Sequence, residues 1–257
     1  MNCKQILESK PIVHCITNIV TVNDCANVLL AIGASPTMAH HEAEVAEIQK
    51  GSNALVCNLG ATENYEAMLK AAKVATECGH PIVIDPVGCG GSSYRREFFK
   101  KLISVCRPTC IRGNYAEIIA LAKDSATITG VDAGGFENDD KAIEKYAIQL
   151  SMVTGAFIVA SGKVDIVAVY DMNEVQPEYS ITSICGGDPM MSRITGAGCM
   201  LSSMLGAYLA VENSLNSVLM CCENMKSAGE DAAEETMRHD GGTMVFRDKL
   251  IDNLFVK

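Results

Sequence analysis

This chain lacks an apolar run of membrane-spanning length; its longest candidates are broken by Ser, Gly, Lys or Glu. It also lacks basic character. Lys and Arg number 21 against 31 Asp and Glu, a formal net charge of -10. Nucleic acid is a poor partner for such a surface, because phosphate backbones are held by clustered cations. Neither a membrane nor a nucleic acid is therefore expected as a partner. Charged residues make up only 20% and form no block of like sign, which argues against a disordered chain. No linker of Pro, Ser or charge interrupts the chain and no repeat is visible, so residues 1–257 read as a single domain. The opening Met1-Asn2-Cys3-Lys4-Gln5 lacks the basic-then-apolar layout of a secretory leader, and a cytoplasmic location is expected. The 12 cysteines form no paired CxxC, in a chain too large and too rich in Leu, Ile and Val for a disulfide scaffold. They read as reduced and mostly buried. The histidines show no metal-ligand spacing beyond the adjacent His40-His41. No GxxxxGK[ST] loop and no protein-kinase motif set is present, so any phosphotransferase here uses another scaffold.

What is present is a large reserve of core: 48% of residues are hydrophobic. Strand-like and helix-like stretches alternate. Strands are expected over 11–16, 54–59, 81–84, 109–111, 156–160 and 164–170, with a further short one near 35–39. Helices are expected over 23–32, 63–78, 94–105, 115–122, 139–152, 197–211, 215–236 and 243–255. Strands apolar throughout and separated by helices imply an α/β fold with a mostly parallel sheet covered on both faces. In such sheets ligands bind beyond the carboxyl ends of the strands.

The residues at those ends are polar. Ile194-Thr195-Gly196-Ala197-Gly198-Cys199 precedes an apolar helix. Unpaired N–H groups at a helix start attract anions, glycines admit a ligand closely, and the dipole there favours a thiolate. The run is equally readable as a Gly-rich turn with Cys199 as a small core residue. Asp85 ends the strand before Pro86-Val87-Gly88. It suits a hydrated Mg²⁺, or it caps the turn that follows. Arg112 offers a planar fork to phosphate oxygens. Asn114 and Glu117 have the three-residue spacing of a capping box, so Glu117 serves the backbone unless it faces the crevice. Asn18 closes the first strand with His14 and Thr17; Met38 either lines an apolar pocket or fills core.

Seven blocks of this sequence, in register, resemble the hydroxyethylthiazole kinases of the ribokinase-like superfamily. They are HCITNIVTVNDCANVLLAIGASPTMA (14–39), NALVCNLGA (53–61), PIVIDPVGCGGSSYR (81–95), IRGNYAEI (111–118), GVDAG (130–134), SGKVD (161–165) and ITGAGCMLSSMLGAY (194–208). The resemblance implies a ribokinase-like three-layer α/β/α sandwich. It implies ATP-dependent phosphorylation of 4-methyl-5-(2-hydroxyethyl)thiazole in thiamine salvage, a need for Mg²⁺, and a homotrimer with its sites at subunit interfaces. Carried over by motif, Cys199 faces the substrate hydroxyl and Gly196 offers amides to the transferring phosphoryl. Arg112, Ser161 and Asn18 contact ATP, Met38 contacts the thiazole, and Asp85 and Glu117 hold the metal through water. Ser161 stands where Thr is commoner and keeps the hydroxyl. Most of the superfamily ends the last block in Asp, whereas this branch carries Cys. A thiol enzyme with a covalent Cys199 intermediate is a rival reading, but no His/Asp partner set stands out for it.

Overall fold

The computed structural model describes residues 3–129, 140–171 and 178–255. The chain opens with α1 (Cys3–Ser9), β1 (Ile12–Ile16), α2 (Val22–Ala31), β2 (Ser35–Thr37), α3 (Val45–Lys50) and β3 (Ala54–Asn58). It continues through α4 (Tyr65–Cys78), β4 (Ile82–Asp85), α5 (Ser93–Ile103), β5 (Cys110–Asn114), α6 (Tyr115–Thr129) and α7 (Asp140–Thr154). The hairpin strands β6 (Phe157–Ser161) and β7 (Asp165–Asp171) lead to β8 (Glu178–Ile184), and α8 (Ala197–Val211), α9 (Leu215–Arg238) and α10 (Thr243–Asn253) close the fold.

The strands form one sheet in the order β2-β1-β3-β4-β5-β6-β7-β8. Pairing is parallel from β2 through β6 and antiparallel for the last two pairs. β3 and β4 are buried along their whole length, which explains their unbroken apolar sequences. Alternate side chains feed two cores. On one face Leu55, Cys57, Ile82 and Ile84 meet Met68 and Ala72 of α4 and Phe99 of α5. On the other, Val13, Val56 and Val83 meet Met200, Met204 and Tyr208 of α8, with Val218 and Cys222 of α9 behind. This is the expected three-layer α/β/α arrangement with a mostly parallel sheet.

Several elements escape the apolar pattern. α1 and α3 are short, and β8 is a largely exposed edge strand with little apolar signal. β5 runs on to Asn114, so Arg112 lies within the strand and not beyond it. α6 extends past 122 to Thr129. Among the described residues the cysteines are free thiols, most of them buried. No described helix is long and apolar enough to cross a membrane.

Candidate active site

Parallel pairing sets the ends of β3 and β4 side by side, with Asn58 opposite Asp85. Asn58 Nδ2 donates to Asp85 Oδ2 at 2.9 Å and to Cys199 Sγ at 3.2 Å. Asn58 Oδ1 accepts from Asn18 Nδ2 at 3.2 Å and from the Gly60 N–H at 2.9 Å. Asn18 Nδ2 also lies 3.7 Å from the same sulfur. Ser202 Oγ, one turn into α8, donates to Asp85 Oδ2 at 3.0 Å. Asp85 Oδ1 is buried with no hydrogen-bond partner, and Arg112 Nη1 stands 3.9 Å from it. Burial lifts the Asp85 pKa to about 6; Arg112 opposes that shift and Glu117 adds to it.

Gly196 caps α8 at φ +92°, a left-handed conformation that glycine adopts without strain. No side chain caps the helix, and its first bond runs from Met200 N to Gly196 O at 2.8 Å. The N–H groups of Ala197, Gly198 and Cys199 therefore precede the helical ladder. A side chain at Gly198 would collide with the Arg112 guanidinium, so helix mouth and guanidinium pack face to face. The dipole expectation for Cys199 is overridden. Burial, then the Asp85 carboxylate, pushes the thiol up to about 12. A desolvated sulfur beside an anion outweighs the pull of the helix start. Amides of Asn18 and Asn58 contact it, and no histidine does.

Arg112 Nε donates to Ser161 Oγ at 3.0 Å, joining the middle of β5 to the end of β6. Glu117 forms the capping box that its spacing foretold. The Asn114 N–H donates to Glu117 Oε2 at 2.8 Å, and the Glu117 N–H to Asn114 Oδ1 at 2.9 Å. Its other oxygen accepts the Gly88 N–H at 2.8 Å, which ties it to the turn after Asp85. Beside these groups opens a cleft of about 880 Å³ whose walls include Arg112, Ser161, Gly196, Gly198 and Lys226. Asn18, Met38, Asp85, Glu117 and Cys199 are not among its lining residues. Met38 rests half-buried on the α8 side of the sheet. The GVDAG block (130–134) lies outside the described residues.

Asn58 and Ser202 belong to this cluster although the sequence marks neither as a site residue. For Asn58 the available signal was an Asn closing an apolar run one strand over from the Asp85 strand. Nothing in the sequence marked Lys226 or Cys185–Gly187 as cleft walls, because they arrive from distant segments.

The profile described as "HK: Hydroxyethylthiazole kinase family" matches residues 3–256. The chain belongs to the hydroxyethylthiazole kinase family. Its sequence is 41% identical over 259 aligned residues to hydroxyethylthiazole kinase 1 of Methanosphaera stadtmanae, covering 96% of this chain and 88% of the relative. The hydroxyethylthiazole kinase structure from Pyrococcus horikoshii superposes with a TM-score of 0.82 at 31% identity, covering 98% of this chain and 91% of the other. Ribokinase of Arabidopsis thaliana, at 16% identity, shares the fold with a TM-score of 0.50, over 86% of this chain and 60% of its own. The kinase fold is thus ribokinase-like, and the cluster at the α8 mouth sits on a hydroxyethylthiazole kinase scaffold.

Proposed function

We propose that this chain transfers the terminal phosphoryl group of ATP to the primary alcohol of 4-methyl-5-(2-hydroxyethyl)thiazole, giving the monophosphate used in thiamine salvage. The observation that carries this reading is the convergence of Asn58, Asp85, Arg112 and Cys199 at an uncapped helix mouth beside the large cleft. The amides of Ala197, Gly198 and Cys199 receive the transferring phosphoryl, whose charge spreads over its oxygens in a loose transition state. Arg112 and Ser161 hold the nucleotide phosphates, and Asn18 lies near them. Met38 contacts the thiazole.

Cys199 faces the acceptor hydroxyl. With its pKa raised to about 12 it is a thiol at neutral pH, so it orients the alcohol and does not strip its proton in advance. Little nucleophile activation is needed when the leaving bond breaks early, and positioning then supplies most of the rate.

A divalent cation fits this donor set. Asp85 Oδ1 is a hard oxygen, buried, without a hydrogen bond, and only loosely paired with Arg112 at 3.9 Å. Asp85 and Glu117 would hold Mg²⁺ through water, Glu117 by the lone pairs left over from its bonds to the Asn114 and Gly88 N–H groups, and the ion would supply charge neutralisation at the phosphates. One or two carboxylates plus phosphate oxygens is the usual Mg²⁺ arrangement. The cytoplasm as location and a homotrimer with sites at its interfaces complete the reading, the trimer resting on family resemblance.

Incubating the purified protein with ATP, Mg²⁺ and a panel of alcohols that includes the thiazole alcohol and a hydroxymethylpyrimidine, and following each by mass spectrometry, tests the proposal. The thiazole monophosphate is expected. Preferential phosphorylation of a pyrimidine alcohol, or no phosphoryl transfer to any alcohol in the panel, would refute it.

A further inference from the structure

Lys226, in the middle of α9, is the one buried Lys or Arg among the described residues, at 7% exposure. Lysine is almost never buried without partners. Here Nζ forms an ion pair with Asp165 Oδ1 at 3.0 Å and donates to the carbonyls of Gly162 at 2.9 Å and Lys163 at 3.4 Å. Three acceptors meet the three ammonium hydrogens. Asp165 is itself buried, and its Oδ1 also accepts the Gly162 N–H at 2.9 Å. Both polar groups of the Gly162 backbone are thus fixed, one by each member of the pair.

Gly162 directly follows Ser161, whose hydroxyl accepts from Arg112. The turn Ser161–Asp165 lines the large cleft, as do Gly186 and Gly187. The Lys226 stem fills the space beside Gly187, where an added Cβ would lie 2.9 Å from Lys226 Cδ at a backbone φ of +77°. One side chain therefore anchors two stretches of cleft wall to α9. A buried ion pair contributes little net stability over an apolar replacement, so its use here points to a defined geometry.

We propose that Lys226 is a positioning residue for the nucleotide: by pinning the Gly162 and Lys163 carbonyls it sets Ser161, and through Ser161 the Arg112 guanidinium, where the phosphates bind. This inference rests on the reading that Arg112 and Ser161 contact ATP. All three ammonium hydrogens are taken up by the Asp165 carboxylate and the two carbonyls, so the loss of Lys226 should act on nucleotide affinity and spare the chemical step.

The test compares the parent with Lys226→Met, which keeps the stem and removes the charge. KM for ATP should rise about tenfold, while kcat and KM for the alcohol change by less than about threefold. Because Lys226 acts through Ser161, the ATP effect should shrink in a Ser161→Ala background, a non-additive cycle. Lys226→Gln, which keeps an N–H donor without the charge, should fall between parent and Met, and serves if the Met variant does not fold. Unchanged KM for ATP, all three parameters drifting together, or strictly additive effects would overturn the inference. Calorimetry separates the two levels. If the parent binds no ATP, the nucleotide reading falls and takes Lys226 with it. If parent and Lys226→Met bind ATP equally, the role of Lys226 alone falls.

Discussion

Cys199 owes its character to its neighbours. A thiol at a helix start would ordinarily lean towards thiolate, but here the sulfur is partly sealed beside Asp85 and held by two side-chain amides. It is therefore a poor advance base and a well-placed contact. Cys199→Ala should lower kcat by about a hundredfold, the scale of misplacing a reacting group by about 1 Å. ATP affinity should stay near the parent value. Cys199→Asp should retain activity, since a carboxylate can take the same hydrogen bond. Steady-state kinetics with nucleotide titration checks both, and a Cys199→Ala enzyme at the parent rate would remove this residue from the mechanism. Arg112 makes the complementary case. Its fork is held by Ser161 on one side and packs against Gly198 on the other. Arg112→Ala should weaken ATP binding by about 2–3 kcal/mol, the scale of a charge-assisted hydrogen bond. Fluorescent-nucleotide titration would show this directly, and unchanged affinity would strip the residue of its phosphate role.

At the scale of elements, α8 does most to build the site. Its mouth supplies the amides and Cys199, its next turn supplies Ser202 to Asp85, and its middle lies against the sheet. That closeness depends on Gly206, where an added Cβ would sit 2.8 Å from Val56 Cγ2 and 3.0 Å from Val13 Cγ1. Alanine in place of a helical glycine usually gains about 0.5–1 kcal/mol. Overpacking against a rigid sheet costs about 1–3 kcal/mol, and that effect should win. Gly206→Ala should thus lower Tm by a few degrees, as calorimetry would report. It should also lower kcat, because the helix mouth moves with the helix. A Tm at or above the parent value would mean that α8 can lift off the sheet without strain.

Across the whole molecule, stability carries a pH dependence from a buried histidine that links three segments. His14 on β1 is fully buried, with Nε2 at 2.8 Å from the Ala39 carbonyl and Nδ1 at 2.9 Å from the Gln49 carboxamide of α3. Ala39 follows Met38, so this contact anchors the segment proposed to meet the thiazole. Burial lowers the His14 pKa, its hydrogen bonds opposing that shift only in part. The unfolded chain therefore binds a proton that the folded chain resists. Stability from this group is present above the unfolded value of about 6.5 and is lost as pH falls through it. Through His14, Tm should fall between about pH 7.5 and 5.5, while Asp85, raised to about 6 by burial, pulls the other way in parent and variant alike. His14→Gln should therefore show a lower Tm and lose less of it, relative to the parent, across that interval. An identical pH slope in parent and variant would exclude His14 as the source.

Apart from α1, α3 and β8, the order of strands and helices, the mostly parallel sheet and the two-sided core could be read from the sequence. They follow from local periodicity and from apolar runs such as 54–59 and 81–84, which only a doubly covered sheet can bury. The capping box at Asn114 and Glu117 was legible for the same reason, since it closes within one turn. The seven motif blocks were sufficient for the family. Tertiary structure alone decided what is non-local. It placed Asn58 between Asp85 and Cys199, raised the thiol pKa, left Asp85 Oδ1 without a hydrogen-bond partner, and brought Lys226 from α9 to the Ser161 turn. Periodicity tells each residue which face to bury. Desolvation and hydrogen-bond partnership depend on which distant segments arrive there, and chain spacing carries no record of that.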